Sequence, residues 1–342
     1  MMMQKVVLFL ALALVSVRGV AQTANPQQYK YVFTVAKDGT GDYKYIQDAI
    51  DAMRVFPLEP ITLYLKNGVY NEKIELPANN TDVTFIGESV EQTIITFNDY
   101  SGRGKLNTFT SPTAKISGNR FVAENITFVN SAGPVGQALA LYVDADKAVF
   151  KNCRFLGNQD TIYAAGEHAR QYFLNCYIEG TTDFIFGPST AVFQQCTIRC
   201  KADSYITAAN TPQGKKFGFV FLDCQITADS SVKNVYLGRP WRAFSKTVFL
   251  HCQLPAVIAP AGWDNWSNPN NEKTAFYAEY RNTGEGASIK NRAAWSKQLS
   301  DQEAETYTLD QIFSATNASV APDAGWFREI RTKPFVWQIG PK

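Results

Sequence analysis

The chain has 342 residues, 45% of them hydrophobic and 13% aromatic, with 33 basic and 31 acidic side chains and a formal net charge of +2. A chain of this length buries a large core. Its near-neutral balance lacks the basic footprint of a nucleic-acid binder, and fits a polysaccharide or small-molecule partner without choosing between them.

The first segment, MMMQKVVLFLALALVSVRGVAQT, carries Lys5, an apolar run over residues 6–17, and the small residues Gly19 and Ala21 spaced like a signal-peptidase site. Residues 1–21 read as a secretory signal, because the apolar run is too short for a comfortable membrane span. No cysteine lies near the cut to take a lipid anchor, and no later stretch is long and apolar enough to cross a bilayer. Removing the signal takes away Lys5 and Arg18 and leaves 31 basic and 31 acidic residues. The expectation is an exported, soluble monomer, periplasmic or extracellular, with residues 22–342 forming one domain, since no linker rich in Pro, Gly or Ser divides them.

Residues 42–56, DYKYIQDAIDAMRVF, place Ile46, Ala49, Ile50 and Met53 at helical spacing, and predict a helix that caps an open end of the fold. A recurring phrase then dominates the chain: FVAENITF, AVFKNCRF, QYFLNCYI, AVFQQCTI, FVFLDCQI and TVFLHCQL, with TDVTFIG as an earlier variant. Each copy is a short run of β-branched and aromatic residues closed by Gly, Asn or Asp. Cys153, Cys176, Cys196, Cys224 and Cys252 hold one position in it, 23, 20, 28 and 28 residues apart, and only Cys200 stands outside. Six cysteines in an exported chain suggest disulfides, but a positional repeat of one small residue favours a buried stack. With no helix long enough to serve as a crossover, periods of 20–30 residues predict an all-β fold, a right-handed parallel β-helix with short terminal helices. Residues 300–313, SDQEAETYTLDQIF, read as the second such helix, with a Ser300/Glu303 capping box. The stretch GWDNWSNPNNEK reads as loop.

Chemistry has few places to hide. Asp183 sits in GTTDFIFG against Phe184, Ile185 and Phe186, where an isolated charge is costly unless a partner holds it. Asp160 lies 23 residues earlier in GNQDTIY, and Gln137 another 23 earlier in GPVGQALAL. That is one coil apart each time, and coils stack ~4.8 Å apart. A repeat imposes such spacing on any polar residue, so the alternative is a row of turn residues. The only histidines are His168 and His251, with no G-x-S-x-G elbow, which excludes a Ser–His–Asp hydrolase of the usual kind. No His pair at i, i+4 and no CxxC suggests a metal site. If the protein is an enzyme, carboxylates do the work.

Together GNQDTIY, GTTDFIFG and YLGRPWRAFSKTVF resemble the signatures of the pectin methylesterases (pectinesterases), and YKYIQDAIDA, ENITFVNSAGPVGQALAL and TAFYAEYRNTGEGA extend the likeness in order over nearly the whole mature chain. The resemblance implies Asp183 as nucleophile on the methyl-ester carbonyl and Asp160 as general acid, then base. It implies Gln137 and Gln159 as the oxyanion hole and Arg239 as the partner of Asp183. It puts Tyr163, Phe186 and Trp241 among the aromatic residues lining the sugar subsites, and Thr108 among the substrate contacts. Methyl-esterified homogalacturonan is the implied substrate, and no metal or organic cofactor is implied.

Each residue also has a bland reading. Trp241 and Phe186 read otherwise as core aromatics, and Arg239 as a turn arginine stacked on Trp241. Gln159 and Asp160 are adjacent and in an ideal strand face opposite sides, so the backbone must bend, with Gly157 the expected bulge. Glu167, Glu179 and Asp203 read as exposed acids. Against the usual pattern, AAGEHA between Tyr163 and Arg170 is two residues longer than the commonest spacing, Thr182 stands where valine is frequent, and no inhibitory pro-domain is expected ahead of the catalytic pattern. Two alternatives stay open: a lyase or polygalacturonase on the same fold, or a non-catalytic glycan-binding β-helix. The polygalacturonase-like set NTD, DD, GHG and RIK is represented only by Asn80-Thr81-Asp82.

Overall fold

The computed structural model describes residues 29–314 and 325–328; the signal-like segment lies outside them. Three parallel sheets make up the body, of eleven, seven and seven strands among the described residues. Successive strands of one coil go to different sheets, and each pairs with its equivalent a coil later, so the chain winds as a right-handed parallel β-helix.

The interior consists of ladders of like residues. Phe150, Phe173, Phe193, Phe221 and Phe249 are register partners in consecutive strands of the large sheet. Their rings stack with centroids 4.9, 4.7, 4.7 and 4.2 Å apart. The coil spacing is close to the separation aromatic faces prefer, so one phenylalanine per repeat yields a continuous column. Truncation opens a cavity that a stacked fold cannot collapse: Phe193→Ala is expected to cost about 3–5 kcal/mol in chemical denaturation. A cost below ~1 kcal/mol would show that the column does not carry stability.

The cysteines form the expected stack. All six thiols are free and buried. Each repeat cysteine donates to a backbone carbonyl one coil back, as Cys176 Sγ does to Phe150 O (3.3 Å) and Cys224 Sγ to Phe193 O (3.2 Å). The residue before each is the corner between sheets: Asn152, Asn175, Gln195, Asp223 and His251 have φ of 50–54°. Asn and Asp tolerate this left-handed geometry better than most side chains, which accounts for the polar residue ahead of each cysteine.

The ends depart from expectation. The N-terminal helix spans only Ile46–Asp51, with Ile46, Ala49 and Ile50 buried. Met53 is buried beyond its end. Residues 300–313 form two helices, Asp301–Ala304 and Leu309–Ser314, because the Ser300/Glu303 capping box, which is present, starts a helix that turns out after one turn at Glu305 and Thr306. Asp82 of the NTD string is a left-handed corner paired with Arg120.

Candidate active site

The outward face of one seven-stranded sheet carries most of the site. Tyr142, Tyr163 and Phe186 are register partners in strands Leu141–Val143, Ile162–Ala164 and Ile185–Gly187. Tyr163 stacks on Phe186 at 4.7 Å and meets Tyr142 edge-on at 5.0 Å. Trp241 approaches Phe186 edge-on at 5.9 Å, and Phe109 packs on Tyr163 at 5.1 Å. The result is an aromatic floor several coils long. Thr108 opens the 3-10 turn Thr108–Thr110, capped by the Asn107 side chain, and sits beside Phe109 at the edge of that floor. A cavity of about 430 Å³ continues past Phe109 toward Lys73 and Lys115.

Asp160 and Asp183 both stand at corners leading into this sheet, with φ of 65° and 49°. The bend needed to bring Gln159 and Asp160 to one site therefore lies at Asp160 itself. Gly157 serves close packing instead, since a Cβ there would lie 2.5 Å from Thr161 Oγ1. Backbone bonds tie the coils at this level: Ala138 N–H to Gln159 O (3.1 Å), Asp160 N–H to Thr182 O (3.1 Å) and Asp183 N–H to Tyr205 O (2.9 Å). Gln137 bridges to Gln159, so these two residues share one row, while the Asp160–Thr182 bond sets the two aspartates in adjoining coils. Gln137 is thus in register with Gln159 rather than with Asp160. Neither glutamine side chain has a hydrogen-bond partner among the described residues, which leaves their amides available to a ligand.

Arg239 follows strand Tyr236–Gly238 and grips Asp183 with both arms, Nε to Oδ1 at 3.0 Å and Nη2 to Oδ2 at 2.7 Å. Gly238 lets that strand come close enough, because a Cβ there would fall 1.9 Å from Thr207 Oγ1. The guanidinium lies between two rings, 3.9 Å from the Tyr205 centroid and 3.7 Å from that of Trp266. Sandwiching between aromatic faces fixes the plane of the fork and strips water from it. Trp266 comes from the GWDNWSNPNNEK loop, whose Asp264 N–H donates to Gly238 O (3.2 Å) and whose Asp264 Oδ1 accepts from Trp266 N–H (2.7 Å). Sequence reasoning missed both ring partners. Tyr205, 22 residues after Asp183, was within reach of the spacing argument; Trp266 carries no periodic signal at all.

Asp160 and Asp183 are each only 6% exposed. Burial pushes the Asp160 carboxyl up to about 8, the Asp183 charge adds to the rise, and Arg239 opposes it. Burial also raises Asp183, against which Arg239 acts through its hydrogen bonds and its charge. Asp160 has no such partner among the described residues. The pair is therefore graded: Asp183 is the readier to ionise, and Asp160 the readier to hold a proton. Such a pair supplies a carboxylate nucleophile or base and a proton donor side by side. Glu179, expected to be exposed, is half-buried and ion-paired with Lys201 at 3.1 Å, whereas Glu167 and Asp203 are exposed.

The pectinesterase family model matches residues 32–316. Pectinesterase 31 of Arabidopsis thaliana is 41% identical over 281 residues, covering 79% of this chain and 88% of the relative. Against longer Arabidopsis relatives named as probable pectinesterase/pectinesterase inhibitor proteins, the chain spans about half their length, 54% in one case. Among solved structures, the pectin methylesterase from carrot superposes with a TM-score of 0.79 at 35% identity, over 82% of this chain and 92% of that one. A pectin methylesterase in complex with a hexasaccharide superposes with a TM-score of 0.71 at 29% identity, over 86% and 98% of the two chains. On a match that spans the β-helix and every residue of the site just described, the chain belongs to the pectinesterase family.

Proposed function

We propose that this protein is a carboxylic ester hydrolase that removes methyl esters from the galacturonate units of pectin, releasing methanol and leaving pectate. Family membership supports the activity. The observation that carries the residue roles is the bidentate Arg239–Asp183 pair beside a carboxyl raised to about 8 at Asp160.

In this reading Asp183, ionised by Arg239, attacks the C6 carbonyl. Gln137 and Gln159 donate N–H groups to the oxyanion, and Asp160 passes its proton to the departing methanol oxygen. Asp160, now charged, takes a proton from water as that water attacks the Asp183 acyl anhydride. The galacturonic acid so formed gives its proton to solvent and leaves as a carboxylate, and both aspartates return to their starting states. The apolar flank of Asp183 keeps bulk water away and strengthens the arginine pair. The aromatic floor of Tyr163, Phe186 and Trp241 offers apolar faces to successive sugar rings, with Thr108 at its rim. Nothing in the cycle calls for a metal or an organic cofactor.

Methanol release from methylated pectin without shortening of the polymer is the expected result. Unsaturated products or new reducing ends would instead establish the lyase or polygalacturonase alternative, and binding without turnover the glycan-binding one. Gln137→Ala and Gln159→Ala are each expected to lower kcat about 10²-fold, on the order of 3 kcal/mol in barrier, with KM for pectin little changed. Steady-state methanol assays check this; a rise in KM with kcat intact would make the glutamines binding groups rather than oxyanion donors.

Export rests on residues 1–21, which lie outside the described residues. Among the described residues no helix is long and apolar enough to cross a membrane. A monomeric, exported enzyme of one domain is the reading we adopt.

A further inference from the structure

We propose that Lys201 is a positioning residue for the catalytic pair, a clasp that holds the Asp160 turn and the Asp183 turn at a fixed separation. The inference rests on the reading above in which these two aspartates perform the reaction. Both turns begin at a glycine three residues before the aspartate, Gly157 for Asp160 and Gly180 for Asp183. The parallel ladder joining the two coils on this side ends at the pair Leu156 and Glu179. Past that point the turns leave the regular ladder and are joined by individual bonds, among them Asp160 N–H to Thr182 O at 3.1 Å.

Lys201 adds a further link from the next coil. Its backbone N–H donates to Gly180 O at 2.8 Å, and its ammonium reaches back across two coils to Gly157 O at 2.8 Å. One residue thus bonds the first carbonyl of each catalytic turn. The same ammonium is held by Glu179 Oε1 at 3.1 Å, while Glu179 Oε2 accepts from Tyr177 O–H at 2.9 Å. Arg199 faces that carboxylate from 3.9 Å. An ammonium on a four-carbon stem is ordinarily loose, but one that is half-buried, ion-paired and bonded to a carbonyl is directed. A second backbone bond, Thr181 N–H to Asn158 O at 3.0 Å, runs parallel to the clasp and keeps the fold intact without it.

Lys201 touches neither reacting carboxyl. Its effect is on distance, and distance sets both the attack geometry and the proton affinity of Asp160. The charged groups facing Asp160 are Asp183 and Arg239. If the Asp160 turn drifts outward, the influence of the Asp183 charge weakens and water enters, so the Asp160 carboxyl moves down toward the ordinary range.

The test compares purified full-length wild type, Lys201→Met and Lys201→Arg for methanol release from methylated pectin across pH, with thermal melts of each. Lys201→Met is expected to lower kcat about tenfold with KM within about twofold, since small misplacements of reacting groups are costly. The basic limb of its pH–rate profile is expected to shift to lower pH, and Lys201→Arg, which keeps a donor and a charge, to recover most of kcat. A folded Lys201→Met with wild-type kcat, or with an unmoved basic limb, overturns the proposal. Should Lys201→Met not fold, Lys201→Gln, which keeps one donor, reads the same quantities. Loss of fold in both, with Lys201→Arg fully active, marks a structural lysine and also overturns it. Absence of methanol release by the wild type sinks the underlying function instead.

Discussion

Asp183→Asn is expected to lower methanol release from methylated pectin by about 10⁴-fold or more, roughly 5.5 kcal/mol of barrier. The amide keeps the shape of the side chain and one acceptor for Arg239, yet it cannot attack the ester carbonyl as a carboxylate does. The loss should fall on kcat, with pectin still bound by the aromatic floor of Tyr163, Phe186 and Trp241. A pre-steady-state burst of methanol with pectin in excess, expected of wild type if hydrolysis of the acyl intermediate is slow, should vanish. Turnover within tenfold of wild type would mean that some other group carries the acyl transfer. Asp160 lies one coil away but, lacking a cation of its own, is poorly placed to take over.

Asp160→Asn is expected to cost about 10³-fold in kcat, in the range of a lost general acid. It should also change two pH dependences. In the proposed cycle, acylation needs Asp160 protonated and Asp183 ionised. With Asp160 pushed up to about 8, the rate should fall above about pH 8 in the free enzyme, and this basic limb should be absent from the residual activity of the variant. The second effect is on stability. The folded protein keeps the Asp160 proton that the unfolded chain, with an ordinary carboxyl near 3.8, has already released. Between about pH 4 and pH 8 the folded state thus binds more protons than the unfolded one, and stability falls as pH rises through that window. Asp160→Asn removes this penalty, so its melting temperature should gain on wild type from pH 4 to pH 8 and hold a constant lead above that. A constant difference across the window would show that the folded-state carboxyl is not raised. The contribution is on the order of a few kcal/mol.

Several features of the site were legible in the sequence because a coil repeat turns sequence spacing into spatial proximity. Asp160 and Asp183, 23 residues apart, stand in adjoining coils for that reason, and so do Tyr163 and Phe186. The same logic mistook the row of Gln137, which registers with Gln159 at a spacing of 22. The offset between those two coils is 22 residues at this row and 21 at Leu141 and Ile162, so the repeat is not constant, and periodicity does not report where a coil is shorter. Gly157 looked like the place for the bend, but its missing side chain makes room for Thr161. The terminal helices were found but drawn too long, since apolar spacing marks a buried face and not where the backbone leaves it.

By itself, then, the sequence determined the architecture: one apolar phrase with a small residue at a fixed place stacks into columns of phenylalanine and cysteine, because identical side chains one coil apart pack at the separation they prefer. It also determined which chemistry was available, by withholding a histidine base and offering two carboxyls. Only the tertiary structure decided how those carboxyls divide. Arg239 reaches Asp183 from 56 residues away, and its plane is set by Tyr205 and by Trp266 from an irregular loop. Burial, which raises both acids, is a property of the closed fold, and the charge of Arg239 falls on one of them because of where a glycine lets its strand approach. Proton affinities depend on distances between groups that the chain order does not state, and they came into being when the coils stacked.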